Sequence, residues 1–261
     1  MDEIQIKGIS NFSKYTALLS ELVRKNIKIK YRNSILGVLW SLLDPLFRMI
    51  VLTIVFSALF HRVANYPVYY LTGQLAYSLF ASGSSQAMKS LVSSSGIWKS
   101  IYVPKYLYPL ASVLSNFVTF ILSLLVLFAI MFVTGTEFTV YIIFASLPIL
   151  VLLVMTFGVG LIIGTLNIFF RDMEHLYSVF TLLLMYALPI FYPADILPAQ
   201  FRFIQTYNPL YYIVVCLRDC FLYGKLYSPI DIIIPAIAAV ILLGIGIAML
   251  KRYQDKFILY V

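Results

Sequence analysis

Residues 14–60 read KYTALLSELVRKNIKIKYRNSILGVLWSLLDPLFRMIVLTIVFSALF. Two patterns meet in this stretch. In its first part Tyr15, Leu18, Leu19, Leu22 and Val23 recur at three-and-four spacing, with Lys14, Glu21, Arg24, Lys25 and Lys28 between them. A cationic amphipathic helix of this kind lies in the plane of a membrane interface rather than across it. From Ile35 to Phe60 the sequence becomes almost wholly apolar, and about 20 such residues suffice to cross a bilayer as a helix. An interfacial helix that feeds a membrane span sets the fold class: an all-α integral membrane protein.

Five more apolar stretches follow, at Val68–Val92, Leu110–Val133, Val140–Phe170, Leu176–Tyr192 and Ile230–Leu250. Six transmembrane helices are expected. The fourth is too long for one straight crossing, so it is either broken near Pro148 or tilted. The fifth is short and interrupted by Pro189. Composition agrees: 62% of the chain is hydrophobic and 11% charged, whereas a soluble domain is roughly half apolar and a quarter charged. No internal repeat or low-complexity linker divides the sequence.

Six crossings put both termini on one side. Of the nineteen Lys and Arg residues, fourteen fall on that side and four (Arg62, Arg202, Arg218 and Lys225) on the other, with Arg48 inside the first span. Positive loop charge marks the cytoplasmic face, so both termini are expected there, in a multi-pass protein of the plasma (inner) membrane. The start, Met1-Asp2-Glu3, lacks the basic and apolar regions of a signal peptide. The expected organisation is an amphipathic interfacial segment (1–34), a six-span transmembrane domain (35–250) and a cytoplasmic tail (251–261). The net charge of +8 gathers at span ends, which favours topology and anionic lipid headgroups over nucleic acid.

The outer loop from Pro193 to Pro229 is too apolar for a simple connection. Its runs Phe203-Ile204 and Leu210–Val215 are too short to cross, and irregular backbone at membrane depth survives only inside protein or along a cavity. Two short re-entrant external helices before the last span, broken at Pro209, reconcile these facts. A seventh span over Tyr211–Tyr223 would carry Lys251 and Arg252 outside, against the charge rule.

Much chemistry is absent from the sequence. A phosphate-binding Gly-x4-Gly-Lys-Ser/Thr loop is missing: the only Gly-Lys pair, Gly224-Lys225, is followed by Leu226. His61 and His175 are placed on opposite faces, and no metal-binding or nucleophile–base pattern is present. Cys216 and Cys220, four apart on a helix, read as packing thiols. Asp172 and Glu174 are too isolated for the acidic cluster of an enzyme acting on polyprenyl lipids. The intramembrane pair Asp44 and Arg48 reads as an N-cap before Pro45 with a paired arginine, or as a proton relay, which predicts transport without any ATPase and dependence on Asp44.

Three ordered motifs carry a family resemblance. Residues 30–46, KYRNSILGVLWSLLDPL, resemble the start of the first span in type-2 ABC exporter permeases of the polysaccharide, O-antigen and teichoic acid branch. Residues 164–172, GTLNIFFRD, look like that family's signature at the inner end of the fourth span. Residues 188–193, LPIFYP, followed by Tyr207-Asn208-Pro209-Leu210, are the third. The likeness covers nearly the whole chain, although Asp44 departs from the pattern.

The resemblance implies a homodimer of permeases with two copies of a separate nucleotide-binding ATPase, which would hold the ATP and Mg; this chain needs no cofactor of its own. The cargo would be a polyprenyl-diphosphate-linked glycan, or another lipid or drug on the same scaffold. A coupling helix is implied in the inner loop 93–108, where Trp98, Lys99, Tyr102 and Lys105 combine rings with charge, with Arg171 and Asp172 as a second ATPase contact. The loop 193–229 would be the outer gate. Lys28, Lys30 and Arg32 suit a lipid diphosphate. Tyr69, Tyr70, Tyr77, Phe80, Tyr186, Phe191 and Tyr192 offer flat faces for a sliding sugar chain.

Overall fold

The computed structural model describes residues 2–32, 34–56, 63, 65–100, 103–196 and 198–260, with side chains from Tyr15 onward, Ala199 excepted. Arg62, His61 and Tyr102 lie outside the described residues. What is described is all-helical. In chain order the helices are α1 (Asp2–Lys30), α2 (Trp40–Phe56), α3 (Tyr66–Ser93), α4 (Ser95–Ser100), α5 (Leu107–Val133), α6 (Ser146–Phe169), α7 (Met173–Ala187), α8 (Phe203–Thr206), α9 (Pro209–Phe221) and α10 (Pro229–Tyr253).

Helix α3 is the hub. It packs most extensively on α5 and α6, and α6 in turn packs on α10. Close approach explains the second contact. A Cβ at Gly158 on α6 would lie 2.6 Å from the Leu243 amide nitrogen, and one at Gly246 on α10 would lie 2.8 Å from the Gly158 carbonyl oxygen. Small residues of this kind let membrane helices meet backbone to backbone.

Four segments are long and apolar enough to cross a membrane: Gly37–Phe56, Leu107–Val133, Val140–Phe169 and Pro229–Leu259. The other two expected spans differ for physical reasons. Helix α3 has the length, 28 residues, but its neighbours surround it, and it carries Gln74, Gln86, Lys89 and a series of serines that a lipid-facing helix would not tolerate. Helix α7 has 15 residues, about 22 Å at ~1.5 Å per residue. The fourth stretch opens with a 3-10 turn at Val140–Ala145 that runs directly into α6; Pro148 sits in the first turn of α6, where its missing N–H costs nothing.

One expectation is corrected. Asp44 does not cap a helix ahead of Pro45. Helix α2 begins at Trp40, so Pro45 lies inside it. Proline there removes the N–H that would bond the Ser41 carbonyl. The Ser123 hydroxyl on α5 donates to that carbonyl instead, at 2.8 Å, as neighbouring helices do for prolines at membrane depth.

Candidate functional site

At the end of the bundle that holds α1, the helix α4 is anchored rather than free. Trp98 is 6% exposed and its indole N–H donates to the Leu91 carbonyl at 2.8 Å. Lys105 lies over the Trp98 ring at 5.1 Å and over the Phe257 ring at 5.2 Å, and its ammonium donates to the Gln254 carbonyl. Burial lowers the Lys105 pKa below its usual value, partly offset by Asp255. The 3-10 turn at Gln254–Leu259 therefore roofs the loop. Trp98 and Lys105 face inward and fix the loop's position.

The corner between α6 and α7 carries the second candidate group. Arg171 and Asp172 are exposed. The ion pair nearby joins Glu174 to Lys89 on α3, at 3.2 Å. Buried Asn167 donates to Glu174 at 3.4 Å, and its side-chain oxygen has no partner among the described residues. Lys89, Glu174 and Asn167 thus tie α3, α7 and α6 together.

The apolar face of α1 is not left to lipid alone: Leu22 is buried in one cluster with Leu107, Ala111, Leu161 and Phe257, and Tyr15, Leu18, Leu19 and Val23 pack against it. Beyond this contact Lys28, Lys30 and Arg32 are exposed. The Lys30 ammonium lies 3.5 Å from the Thr119 hydroxyl. On α2 the Arg48 Nε bonds both carboxylate oxygens of Asp44 at 3.0 Å. This is a half-exposed helix pair worth about 0–1 kcal/mol.

At the opposite end the aromatic residues separate into two groups. Tyr69, Tyr70 and Phe80 are buried at 4%, 1% and 4% exposure. The Tyr69 hydroxyl donates to the Pro189 and Tyr192 carbonyls at 3.2 and 2.9 Å, and the Tyr70 ring stacks on Phe191. The half-buried Tyr77 donates to the Thr181 carbonyl at 2.8 Å. Phe191 and Tyr192 are half-buried and Tyr186 is exposed. Tyr69 and Tyr70 hold the turn after α7 in place, Phe80 belongs to the core, and only the rest present surface. Helix α9 starts at Pro209 with the Asn208 side chain accepting from the Leu210 amide, as the proline break implied, while α8 is a single turn.

Arg218 is the residue sequence reasoning missed. Counted as a loop charge, it is in fact 4% exposed. Its guanidinium donates to the Pro189 carbonyl at 2.7 Å and the Tyr69 carbonyl at 3.3 Å, and covers the Tyr69 ring at 3.5 Å. Its Nε has no partner among the described residues. The signal was available: an arginine inside the apolar run Leu210–Cys220 is costly unless it serves a purpose. Cys216 and Cys220, on the same helix, are buried free thiols.

Comparison with known proteins agrees with this architecture. The O-antigen export system permease protein RfbA of Klebsiella pneumoniae is 30% identical over 258 residues, covering 97% of this chain and 98% of the relative. A protein of the same name from Myxococcus xanthus is 23% identical over 255 residues, with 97% and 98% coverage. The polysialic acid transport protein KpsM of Escherichia coli is 21% identical over 257 residues, with 95% and 98% coverage. Residues 17–222 match the ABC-2 type transporter family, and with apolar helices that fit a bilayer and a match over most of its length, the chain belongs to that family.

Proposed function

We propose that this chain is the membrane permease subunit of an ATP-driven exporter that carries a lipid-linked polysaccharide out across the plasma membrane. The observation that carries the reading is end-to-end similarity to proteins named for O-antigen and polysialic acid export. The power comes from a separate nucleotide-binding ATPase, in two copies on a permease homodimer. The exposed strip Leu176, Phe180, Leu183 and Tyr186 on α7 suits a seam between two copies, and an export path beside it would meet Tyr186, Tyr77, Phe191 and Tyr192, with Tyr69, Tyr70 and Phe80 as the support behind.

In this reading the α1 end faces the cytoplasm. Burial of Arg218 removes one positive charge from the outer count, which strengthens the asymmetry of loop charge. Helices α3 and α7 complete six crossings, and α8 and α9 dip into the membrane as an outer gate. The loop of α4, with Lys99 and Tyr102, and the corner at Arg171 and Asp172 meet the ATPase; Trp98 and Lys105 set the loop's stance. Lys28, Lys30 and Arg32 receive the diphosphate of a polyprenyl carrier. The Asp44–Arg48 pair serves locally, without a relay chain beyond it.

The test is purification of the tagged chain from its native membrane. A co-purifying nucleotide-binding subunit with vanadate-sensitive ATP turnover, together with loss of surface glycan on deletion of the chain, is expected. A lone, ATP-inert protein whose deletion leaves surface glycan intact would refute the reading.

A further inference from the structure

Helices α3 and α5 face each other with polar ladders. Gln74, Ser78 and Ser82 follow at four-residue spacing on α3, and Thr119 and Ser123 do so on α5. A cavity of about 330 Å³ opens beside them, closed by Ser41 and Asp44 of α2. That volume is at the lower end of the roughly 300–1,000 Å³ of small-molecule pockets. Gln74 lies eight residues inside α3 and Ser82 eleven residues from its other end. The cavity is therefore at membrane depth, where each unsatisfied polar group costs free energy.

The hydrogen-bond inventory says what such a cavity accepts. The hydroxyls of Ser41, Thr119 and Ser123 donate to main-chain carbonyls, so toward the cavity they can only accept. Gln74, Ser78 and Ser82 are half-buried and make no hydrogen bond among the described residues, so they offer both donors and acceptors. Asp44 is an acceptor, and its charge repels an anion. A ligand that both donates and accepts through neutral groups is required, which describes the hydroxyls of a sugar ring and not a phosphate. At the mouth stand Tyr31 and Trp40, whose rings can cover the apolar face of a sugar, and Lys30. Lys30 also lines a second cavity of about 310 Å³, where Lys25 and Lys89 add positive charge. Anion-binding and hydroxyl-binding chemistry thus meet at one lysine.

We propose that the cavity between α2, α3 and α5 holds a single sugar ring of the exported glycan, the one next to the phosphate, with Lys30 at its rim taking the phosphate. The proposal rests on the lipid-linked glycan reading above. It assigns substrate contact to Gln74, Ser78 and Ser82, none of which is aromatic or charged, and places it within one permease chain.

The test uses the full chain with its partner in native membranes. Ser78→Cys is nearly isosteric, and the native thiols are buried at 0% and 1% exposure, so a small maleimide reports position 78. Cells are compared in which lipid-linked glycan accumulates behind a vanadate-stalled ATPase, and in which assembly is blocked before the first sugar so that only sugar-free polyprenyl phosphate is present. Alkylation is expected to slow about tenfold with the glycan lipid if it exceeds its Kd roughly ten times, and not with the sugar-free lipid. Leu125→Cys, on the exposed face of α5 at 56% exposure, should react equally in both. Equal rates at position 78, protection by the sugar-free lipid, or matching protection at position 125 would overturn the proposal. Surface glycan is measured in the same cells. Export at the wild-type level with no protection removes the sugar site and leaves the export function standing. Surface glycan that does not depend on this chain removes the export function, and the site's ligand with it.

Discussion

Replacing Ser123 with Ala removes one hydroxyl and isolates one carbonyl. Residue 45 has no N–H, so the Ser41 oxygen depends on Ser123 Oγ at 2.8 Å. An average intramolecular hydrogen bond contributes about 0.5–1.5 kcal/mol, but a buried acceptor left alone costs about 1–3 kcal/mol. Measured hydrogen bonds between membrane helices average about 0.6 kcal/mol and reach about 1.7. A loss of about 1–2 kcal/mol is therefore expected. The proline supplies the control. Pro45→Ala restores the amide of residue 45 to the Ser41 oxygen, so in that background Ser123→Ala should cost about 0.5 kcal/mol or less, a coupling of about 1 kcal/mol. Pro45→Ala alone should be neutral or stabilising, since proline in a helix interior is about 3 kcal/mol worse than alanine. Reversible unfolding of the four proteins in mixed micelles, titrated with dodecyl sulfate, measures the cycle. An equal cost of Ser123→Ala in both backgrounds would show that the hydroxyl does not stand in for the missing amide.

Three further outcomes follow from the packing. Arg218→Met should cost about 2–3 kcal/mol, the scale for lost hydrogen bonds to a charged donor, and should speed amide exchange in residues 188–193; Arg218→Lys should not restore it, because an ammonium lacks the planar guanidinium that lies flat on the Tyr69 ring while reaching the Pro189 and Tyr69 carbonyls. Unchanged exchange would mean the turn holds itself. Gly158→Ala and Gly244→Ala should move stability in opposite directions: the first drives a Cβ into the Leu243 backbone at 2.6 Å, whereas the second meets nothing within 4 Å. Overpacking costs about 1–3 kcal/mol and the helix gain is about 0.5–1 kcal/mol; thermal denaturation in detergent distinguishes the signs. Lys105 has a folded pKa below the usual 10.5, so between the two values the unfolded chain binds more protons and stability rises with pH. Lys105→Met should flatten the rise below pH 10.5 expected of the wild type; an unaltered profile would assign it to another group.

The membrane class, the helical form and apolar face of α1, the short fifth stretch and the break at Pro209 were legible because each depends on local pattern: apolar length, three-and-four periodicity, proline. What escaped depends on contacts across the fold. Asp44-Pro45 has the local form of a helix start, yet α2 begins five residues earlier because a serine on α5 replaces the missing amide. Arg218 looked like a loop charge because sequence shows the charge and not the carbonyls of Pro189 and Tyr69 that receive it. Trp98 read as a surface ring, since Phe257, far along the chain, is what covers it. The seven aromatic candidates were indistinguishable in sequence; packing alone separates the buried Tyr69, Tyr70 and Phe80 from the exposed Tyr186. The ladder from Gln74 to Ser82 has the spacing of one helix face, but only the cavity beside it sets that face apart.

The roof over α4 also bears on synthesis. Lys105 and Gln254, which it joins, are 149 residues apart. At about 5–20 residues per second of translation, the loop leaves the ribosome roughly 7–30 s before its cover exists. During that interval the Trp98 ring has no Phe257 to close on and the Lys105 ammonium no Gln254 carbonyl. A nascent chain therefore presents an unfinished inner face until α10 has been inserted. A chain truncated within α10 never acquires that cover, and its Trp98 ring and Lys105 ammonium stay open.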